Sequence, residues 1–311
     1  MLALVLPALM IAASAPPKVR FSPAEPRLGD LVIVYVETTD RTIQSGSLEA
    51  FGCLTPLDRV SKNLLRGFVG IPTHVEAGGY RLEMMLEDQP LAVRLPVDHR
   101  IFEESQLRVS KRFTNRQSSK LKARLRREAQ QMSDLWKRDP SVPKAIGGVF
   151  RPVAGVTTSP FGVRRVFNGR RKSVHYGLDL KGITGDPIHA ALAGRVVLAS
   201  MMWKSGGTTI LDHGGGLFSA YFHMSRRDRK VGDFVEKGDL LGAVGSTGRV
   251  TGPHLHLAVM TRCLISKGKD AGKTRSYFVD PERFLGLSFD GDPAYMEVGP
   301  TADLGEVAND P

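Results

Sequence analysis

Gly252-Pro-His-Leu-His256 is the stretch on which the reading of the fold turns. Imidazoles at i and i+2 share one face of a strand, roughly 6–7 Å apart at the backbone, and the leucine between them points the other way, toward a core. Gly252-Pro253 marks where that strand begins. His175-Tyr-Gly-Leu-Asp179 and Tyr221-Phe-His223-Met-Ser225 lie in the same part of the chain, and six of the eight histidines fall between 175 and 256. A straight strand would hold His175 and Asp179 roughly 13 Å apart. Gly177 permits a bend that brings imidazole and carboxylate together. Two histidines and one carboxylate are a catalytic zinc set that leaves a fourth position for water, and the positive site charge favours hydroxide near neutral pH. Each fragment alone is weak; their clustering is the signal.

Around these motifs, residues 148–285 are rich in glycine and short β runs: Arg195–Ala199, Thr208–Asp212, Leu217–Phe222, Leu240–Val244 and His254–Met260. They read as a largely antiparallel β domain. Residues 16–100 read as a second β domain, a small sandwich. Leu31-Val-Ile-Val-Tyr-Val36 is its most apolar run, followed by Leu64–Ile71, Tyr80–Leu86 and Leu91–Val97. Between the two, residues 101–147 form a basic linker. Residues 108–144 hold twelve lysines and arginines against three acids, most of the chain's net charge of +11. Leu121, Leu125, Met132 and Leu135 recur there at helical spacing. The helix reads as a solvated connector or as an electrostatic foot on an anionic wall polymer or membrane surface. Residues 286–311, with six acids and no base, read as a flexible tail.

Residues 148–285 resemble the lysostaphin/LytM-type zinc metalloendopeptidases, peptidoglycan hydrolases that cut cell-wall cross-link peptides. The resemblance is carried by Thr158-Ser-Pro-Phe-Gly-Val-Arg164, His175-Tyr-Gly-Leu-Asp179, Gly185-Asp-Pro-Ile188, Ala193-Gly-Arg-Val-Val197 and Asp212-His-Gly214. It continues through Tyr221-Phe-His223-Met-Ser225, Gly232-Asp-Phe-Val-Glu-Lys-Gly238, Gly245-Ser-Thr-Gly248 and Thr251-Gly-Pro-His-Leu-His256. It implies that His175, Asp179 and His256 bind Zn2+ and that His223 and His254 are catalytic histidines that do not bind the metal. It implies a mostly β fold with an antiparallel β peptidase domain. The function implied is hydrolysis of peptidoglycan peptide cross-links by metal-activated water. The alternative is a noncatalytic peptidoglycan-binding activator of another wall hydrolase. Two departures stand out: Leu257-Ala258 after the second histidine, and the charged stretch Lys267–Arg275, which bears on groove shape.

The remaining features narrow the reading. Residues 1–15, MLALVLPALMIAASA, end in Ala13-Ser14-Ala15 and read as a signal peptide, which predicts export to the periplasm or cell envelope, with a membrane tether if it is retained. No later apolar run approaches the roughly 20 residues of a membrane-spanning helix. Cys53 and Cys263 form no C-x-x-C pair; two buried thiols are expected, with a bridge between the β regions as the alternative. Gly268–Thr274 lacks the glycine spacing of a phosphate loop. The basic charge comes with no aromatic-studded face, so no nucleic-acid partner is expected. His74 and His99 read as surface or structural, His189 as structural and His213 as a turn hydrogen-bonder. Arg164, Arg165 and Arg170–Lys172 are either a solvated loop or contacts to substrate carboxylates. Tyr176 and Tyr221 either line a groove or pack.

Overall fold

The structure, a computed structural model, describes residues 15–107, 118–135, 147–167, 171–290 and 296–298. The expected signal segment up to Ser14, parts of the basic linker including its link to 148, Arg170, and most of the acidic tail lie outside the described residues. The N-terminal region comprises β1 (Lys18–Ser22), β2 (Leu31–Glu37), β3 (Ser45–Ala50), β4 (Cys53–Ser61), β5 (Leu64–Gly70), β6 (Gly78–Leu86) and β7 (Gln89–Val97). After β8 (Glu104–Leu107) and α1 (Ser119–Leu135) come β9 (Thr157–Ser159), β10 (Arg164–Phe167), β11 (Arg171–Val174), β12 (Leu178–Lys181), β13 (Pro187–His189) and β14 (Gly194–Met202). The rest are β15 (Gly206–Asp212), β16 (Leu217–Met224), β17 (Arg226–Arg227), β18 (Phe234–Val235), β19 (Leu240–Ala243), β20 (His254–Ile265), β21 (Thr274–Val279), α2 (Pro281–Leu285) and β22 (Met296–Val298). The fold is mostly β and its pairings antiparallel, except that β8 runs parallel to β10.

The apolar run at 31–36 owes its composition to burial on both faces. Val32, Val34 and Val36 enter one core with Phe21, Leu65 and Leu82. Leu31, Ile33 and Tyr35 enter another with Leu180, Leu257, Val279 and Phe284. A strand covered on both sides needs no polar alternation. The second core therefore draws on both β regions, and β4 continues the sheet by pairing with the far end of β20.

The β3–β4 hairpin turns through Phe51-Gly52, both at positive φ (52° and 65°), as a two-residue type I′ turn requires. Phe51 holds that backbone because its ring is buried against Tyr80, centroids 4.7 Å apart. The turn delivers Cys53 beside Cys263, and the two are joined in a disulfide. The expectation of two free thiols is thus replaced by the bridge. Its cause is the Cys53↔Ile265 register of β4 on β20, a contact between regions that no local pattern announces.

The acidic stretch from 286 is not loose where it is described. Leu287 and Phe289 are buried, the Phe289 carbonyl accepts from Arg66 at 3.0 Å, and β22 pairs with β1. Apolar side chains at i and i+2 decide this segment, against a composition dominated by acids.

In the C-terminal region β20 is the organising strand. β16 pairs along one side; β12 and then β21 share the other. Leu255, Leu257 and Val259 face the large core, whereas His254, His256, Ala258 and Met260 share the opposite face by strand alternation. α1 covers the lower part of that second face. It buries Leu135 and part of Met132 against Phe218, Ala220, Ala258 and Met260. Glu128 accepts from the Trp203 amide at 3.0 Å, and Arg124 donates to the Met201 carbonyl at 3.2 Å. Lys120, Lys122, Arg126 and Arg127 remain exposed. Among the described residues, α1 packs on Ala258 and Met260 and not on His256 or His254.

Candidate metal centre

His175, Asp179 and His256 come together. Asp179 and His256 are directly opposed across β12 and β20, and His175 sits just before β12. His175 Nε2 lies 3.0 Å from Asp179 Oδ1 and 3.0 Å from His256 Nδ1, and His256 Nδ1 lies 2.7 Å from the same carboxylate oxygen. The backbone selects the tautomer of His175. Its Nδ1 faces the Pro160 carbonyl at 2.7 Å, and a carbonyl only accepts, so Nδ1 carries the proton and Nε2 presents a lone pair. Three donor atoms that converge without a proton of their own suit a divalent cation. An ion pair orients the carboxylate: Arg165 on β10 donates to Asp179 Oδ2 and to Ser159 Oγ, each at 2.8 Å. Burial pushes the Asp179 carboxyl up, but the imidazoles of His175 and His256 against it outweigh that and hold the group well below the usual carboxylate range when no cation stands between them. Burial likewise pushes His256 down, toward the neutral form a metal needs.

Gly177 serves by clearance. Its φ lies outside the left-handed region, so the turn itself does not demand glycine. A Cβ there would stand 2.4 Å from His256 Nε2, and only a residue without a side chain lets that imidazole seat. Phe222 stacks on the other side of the ring, centroids 5.3 Å apart and 29° from parallel.

His223 and His254 join the same face. Their rings are 5.0 Å apart, and His223 is 6.0 Å from His256. His254 Nε2 lies 3.7 Å from Asp179 Oδ1. Each donates Nδ1–H to a backbone carbonyl, His223 to Thr247 at 2.8 Å and His254 to Gly252 at 2.9 Å. Each therefore keeps an Nε2 lone pair for proton transfer. Burial, with the neighbouring His256 adding to it, pushes His223 down to about 3. Strand alternation alone would send His223 to the core side, opposite Phe222. A bulge prevents this: between the pairs Thr209↔Tyr221 and Gly207↔Met224, β16 advances one residue more than β15, and His223 takes φ 65°. Bulges re-aim side chains beside functional sites in this way.

Other residues fall elsewhere. Arg165 holds a carboxylate of the protein itself, which neither the solvated-loop nor the substrate-contact reading anticipated; Arg164 is exposed. Tyr176 is half-exposed and stacked on Phe278 at 5.2 Å, whereas Tyr221 is fully buried. His189 donates to the Gly238 carbonyl at 2.9 Å. The charged stretch at 267–275 lies at the end of β20 remote from His254, where Lys267 pairs with Glu49. Its expected influence on the groove is therefore replaced by a contact with the N-terminal region.

One carboxylate and two imidazoles thus converge on an antiparallel sheet as a candidate divalent-cation site, with two further imidazoles beside them. Residues 173–270 match the family model of peptidase family M23. Peptidoglycan DD-endopeptidase ShyC of Vibrio cholerae is 39% identical over 108 residues, 32% of this chain and 25% of that protein. Lysostaphin of Staphylococcus simulans is 37% identical over 94 residues, 30% of this chain and 19% of that protein. The chain thus spans about a quarter or less of the length of these curated relatives. A crystal structure from Pseudomonas aeruginosa, described as a peptidase M23, is 27% identical with a TM-score of 0.62 and covers 85% of this chain and 96% of its own. That likeness extends well beyond the matched peptidase segment.

Proposed function

We propose that the protein is an exported, zinc-dependent endopeptidase that hydrolyses peptide cross-links of peptidoglycan. The observation that carries this reading is the meeting of His175 Nε2, Asp179 Oδ1 and His256 Nδ1 beside the Nε2 atoms of His223 and His254. Zinc bound by those three groups would supply Lewis acidity, lowering the pKa of a water and polarising the scissile carbonyl. His223 and His254 move the protons. One takes the proton from the attacking water and the other donates to the leaving amine or to the developing oxyanion. Their Nδ1 anchors to Thr247 and Gly252 fix the rings so that Nε2 acts. Phe222 excludes water from one face of His256.

Support for export comes from the small-x-small motif at Ala13-Ser14-Ala15 and from the Cys53–Cys263 disulfide, a bond that persists in oxidising compartments. The exposed cations of α1 suit an anionic wall polymer or membrane surface. Retention of both free imidazoles speaks against a purely noncatalytic activator. The test is digestion of purified sacculi by the zinc-loaded protein, with mass spectrometry of the products. New amino and carboxyl ends within cross-link peptides are expected, and zinc-loaded protein that leaves the sacculi uncut would overturn the reading.

A further inference from the structure

Lys181 ends β12 and is directly opposed to His254 of β20, in the same register that opposes Asp179 to His256. Asp179 and His256 touch through their side chains, so the pair two positions on shares their face by strand alternation. Directly opposed residues on one face have Cβ atoms about 4.5–5.5 Å apart, and a lysine ammonium there reaches the space in front of His254. Lys181 is exposed, and its ammonium has no hydrogen-bond or ion-pair partner among the described residues. The neighbouring guanidinium of Arg165, by contrast, is held by Asp179 and Ser159. Val156, whose carbonyl accepts the Lys181 amide at 2.9 Å, and Ile183, two residues further on, neighbour Lys181 along the backbone and are 67% and 71% exposed. Lys181 also lines a cleft of about 530 Å³ together with the apolar Phe150, Val153, Ile183 and Pro187 and the polar Arg151, Asp186 and His189. An unpartnered cation opposite a proton-transferring imidazole, with exposed apolar side chains on the neighbouring backbone, suits an anion carried on a largely apolar chain.

We infer that Lys181 is a specificity-determining residue that anchors a free carboxylate on the carbon bearing the scissile amide nitrogen. This rests on the endopeptidase reading and sharpens it. A cross-link to the side-chain amine of diaminopimelate presents such a carboxylate beside the bond to be cut. In a glycine bridge the corresponding carboxyl is itself an amide and carries no charge. Lys181 therefore selects the diaminopimelate class, and the diaminopimelate methylene chain lies along the Val156–Ile183 rim.

The test uses defined cross-linked peptides joined by a D-alanyl–diaminopimelate bond, with the adjacent carboxyl either free or amidated. For zinc-loaded protein kcat/KM favours the free acid roughly five- to tenfold, the range of a charge-assisted contact at an exposed position. Lys181→Gln and Lys181→Met abolish the preference, Lys181→Arg keeps it and Lys181→Glu reverses it. An unchanged free-acid preference in Lys181→Gln, or none in the native protein, overturns the inference. A binding arm separates this from the activity itself. Calorimetry of the same peptides on zinc-loaded His223→Ala protein reads the preference without turnover, with and without Lys181→Gln. If the preference appears in binding and depends on Lys181 while the zinc-loaded native protein cuts no bond, the anchor stands and the endopeptidase reading falls. If the cross-link is cut but Lys181→Gln changes neither ratio, the anchor alone falls.

Discussion

Two hydrogen-bonded groups built around histidine, one with a single imidazole and one with four, sit on opposite faces of the same β16–β20 sheet and put that ring to different ends. On the core face, His213 Nδ1 donates to the Ala193 carbonyl at 2.8 Å, Nε2 meets Ser219 Oγ at 2.7 Å, and Ser219 reaches the Tyr221 hydroxyl at 3.1 Å, which accepts from the Ala191 amide at 2.8 Å. A serine and a histidine in hydrogen-bond contact have the look of a nucleophile and its base. Yet His213 is 1% exposed and Ser219 and Tyr221 are fully buried, so no substrate reaches them and both imidazole nitrogens are already engaged. On the other face His175, His223 and His254 also spend Nδ1–H on backbone carbonyls, but each keeps an Nε2 lone pair that no scaffold group consumes. The spare lone pair, more than the residue type, separates a site from a structural strut. The closed cluster ties the start of β14 to β16, and the open one is left for chemistry.

Ligand removal gives the largest effect expected from this contrast. His256→Ala takes one of three converging donors, and zinc content measured by mass spectrometry should fall from one equivalent to near none, with wall hydrolysis down by at least about a thousandfold. His223→Ala or His254→Ala should keep the metal and lower turnover by roughly 10²–10⁴-fold, the usual worth of a positioned acid or base. If His254→Ala loses zinc as completely as His256→Ala, the division between ligands and proton carriers is wrong. A smaller effect is expected at Gly177. Gly177→Ala places a methyl 2.4 Å from His256 Nε2 and forces the ring aside without removing any donor. Zinc affinity in a chelator competition should drop by about 10–100-fold, as when the support of a metal ligand is disturbed. Native affinity in that variant would show that His256 has room to spare.

How much of this was legible in the sequence differs residue by residue. The i, i+2 histidines could be placed on one strand face because that spacing has a single geometric consequence in a strand. The β runs of the C-terminal region were legible for the same reason, from β-branched and apolar segments between glycine-rich turns. His223 was not legible from periodicity. It reaches the site only through a bulge and a left-handed backbone, which a residue count along the strand sends to the wrong side, and only family resemblance pointed to it. The tie between Arg165 and Asp179 was hidden because arginine followed by an exposed loop looks the same whether its partner is solvent, substrate or protein. Gly177 reads in the sequence as permitting a bend, whereas what it supplies is space, set by a ring 79 positions further along. Leu287 and Phe289 were masked by acidic neighbours, since net charge says nothing about two apolar side chains that find a core.

The closed cluster makes its own prediction, read in stability. Burial pushes His213 down to about 4, from an ordinary value of 6.5, with the Ala193 carbonyl contact only partly opposing it. A depressed histidine means that between those values the unfolded chain binds a proton that the folded chain refuses. Its contribution to stability is therefore complete above about pH 6.5, shrinks as the pH falls, and is gone below the folded value near 4. Two and a half pH units correspond to about 3 kcal/mol. Urea unfolding of the zinc-loaded protein between pH 7.5 and 4 should show this loss, and His213→Gln, which keeps hydrogen bonding but cannot take the charge, should be less stable at pH 7.5 and flatter toward pH 4. His223, also depressed, to about 3, titrates in both proteins, so the difference between the two curves isolates His213. Parallel curves would mean that His213 is hydrated or protonated in the fold, and the closed cluster would then have to be regarded as an open one.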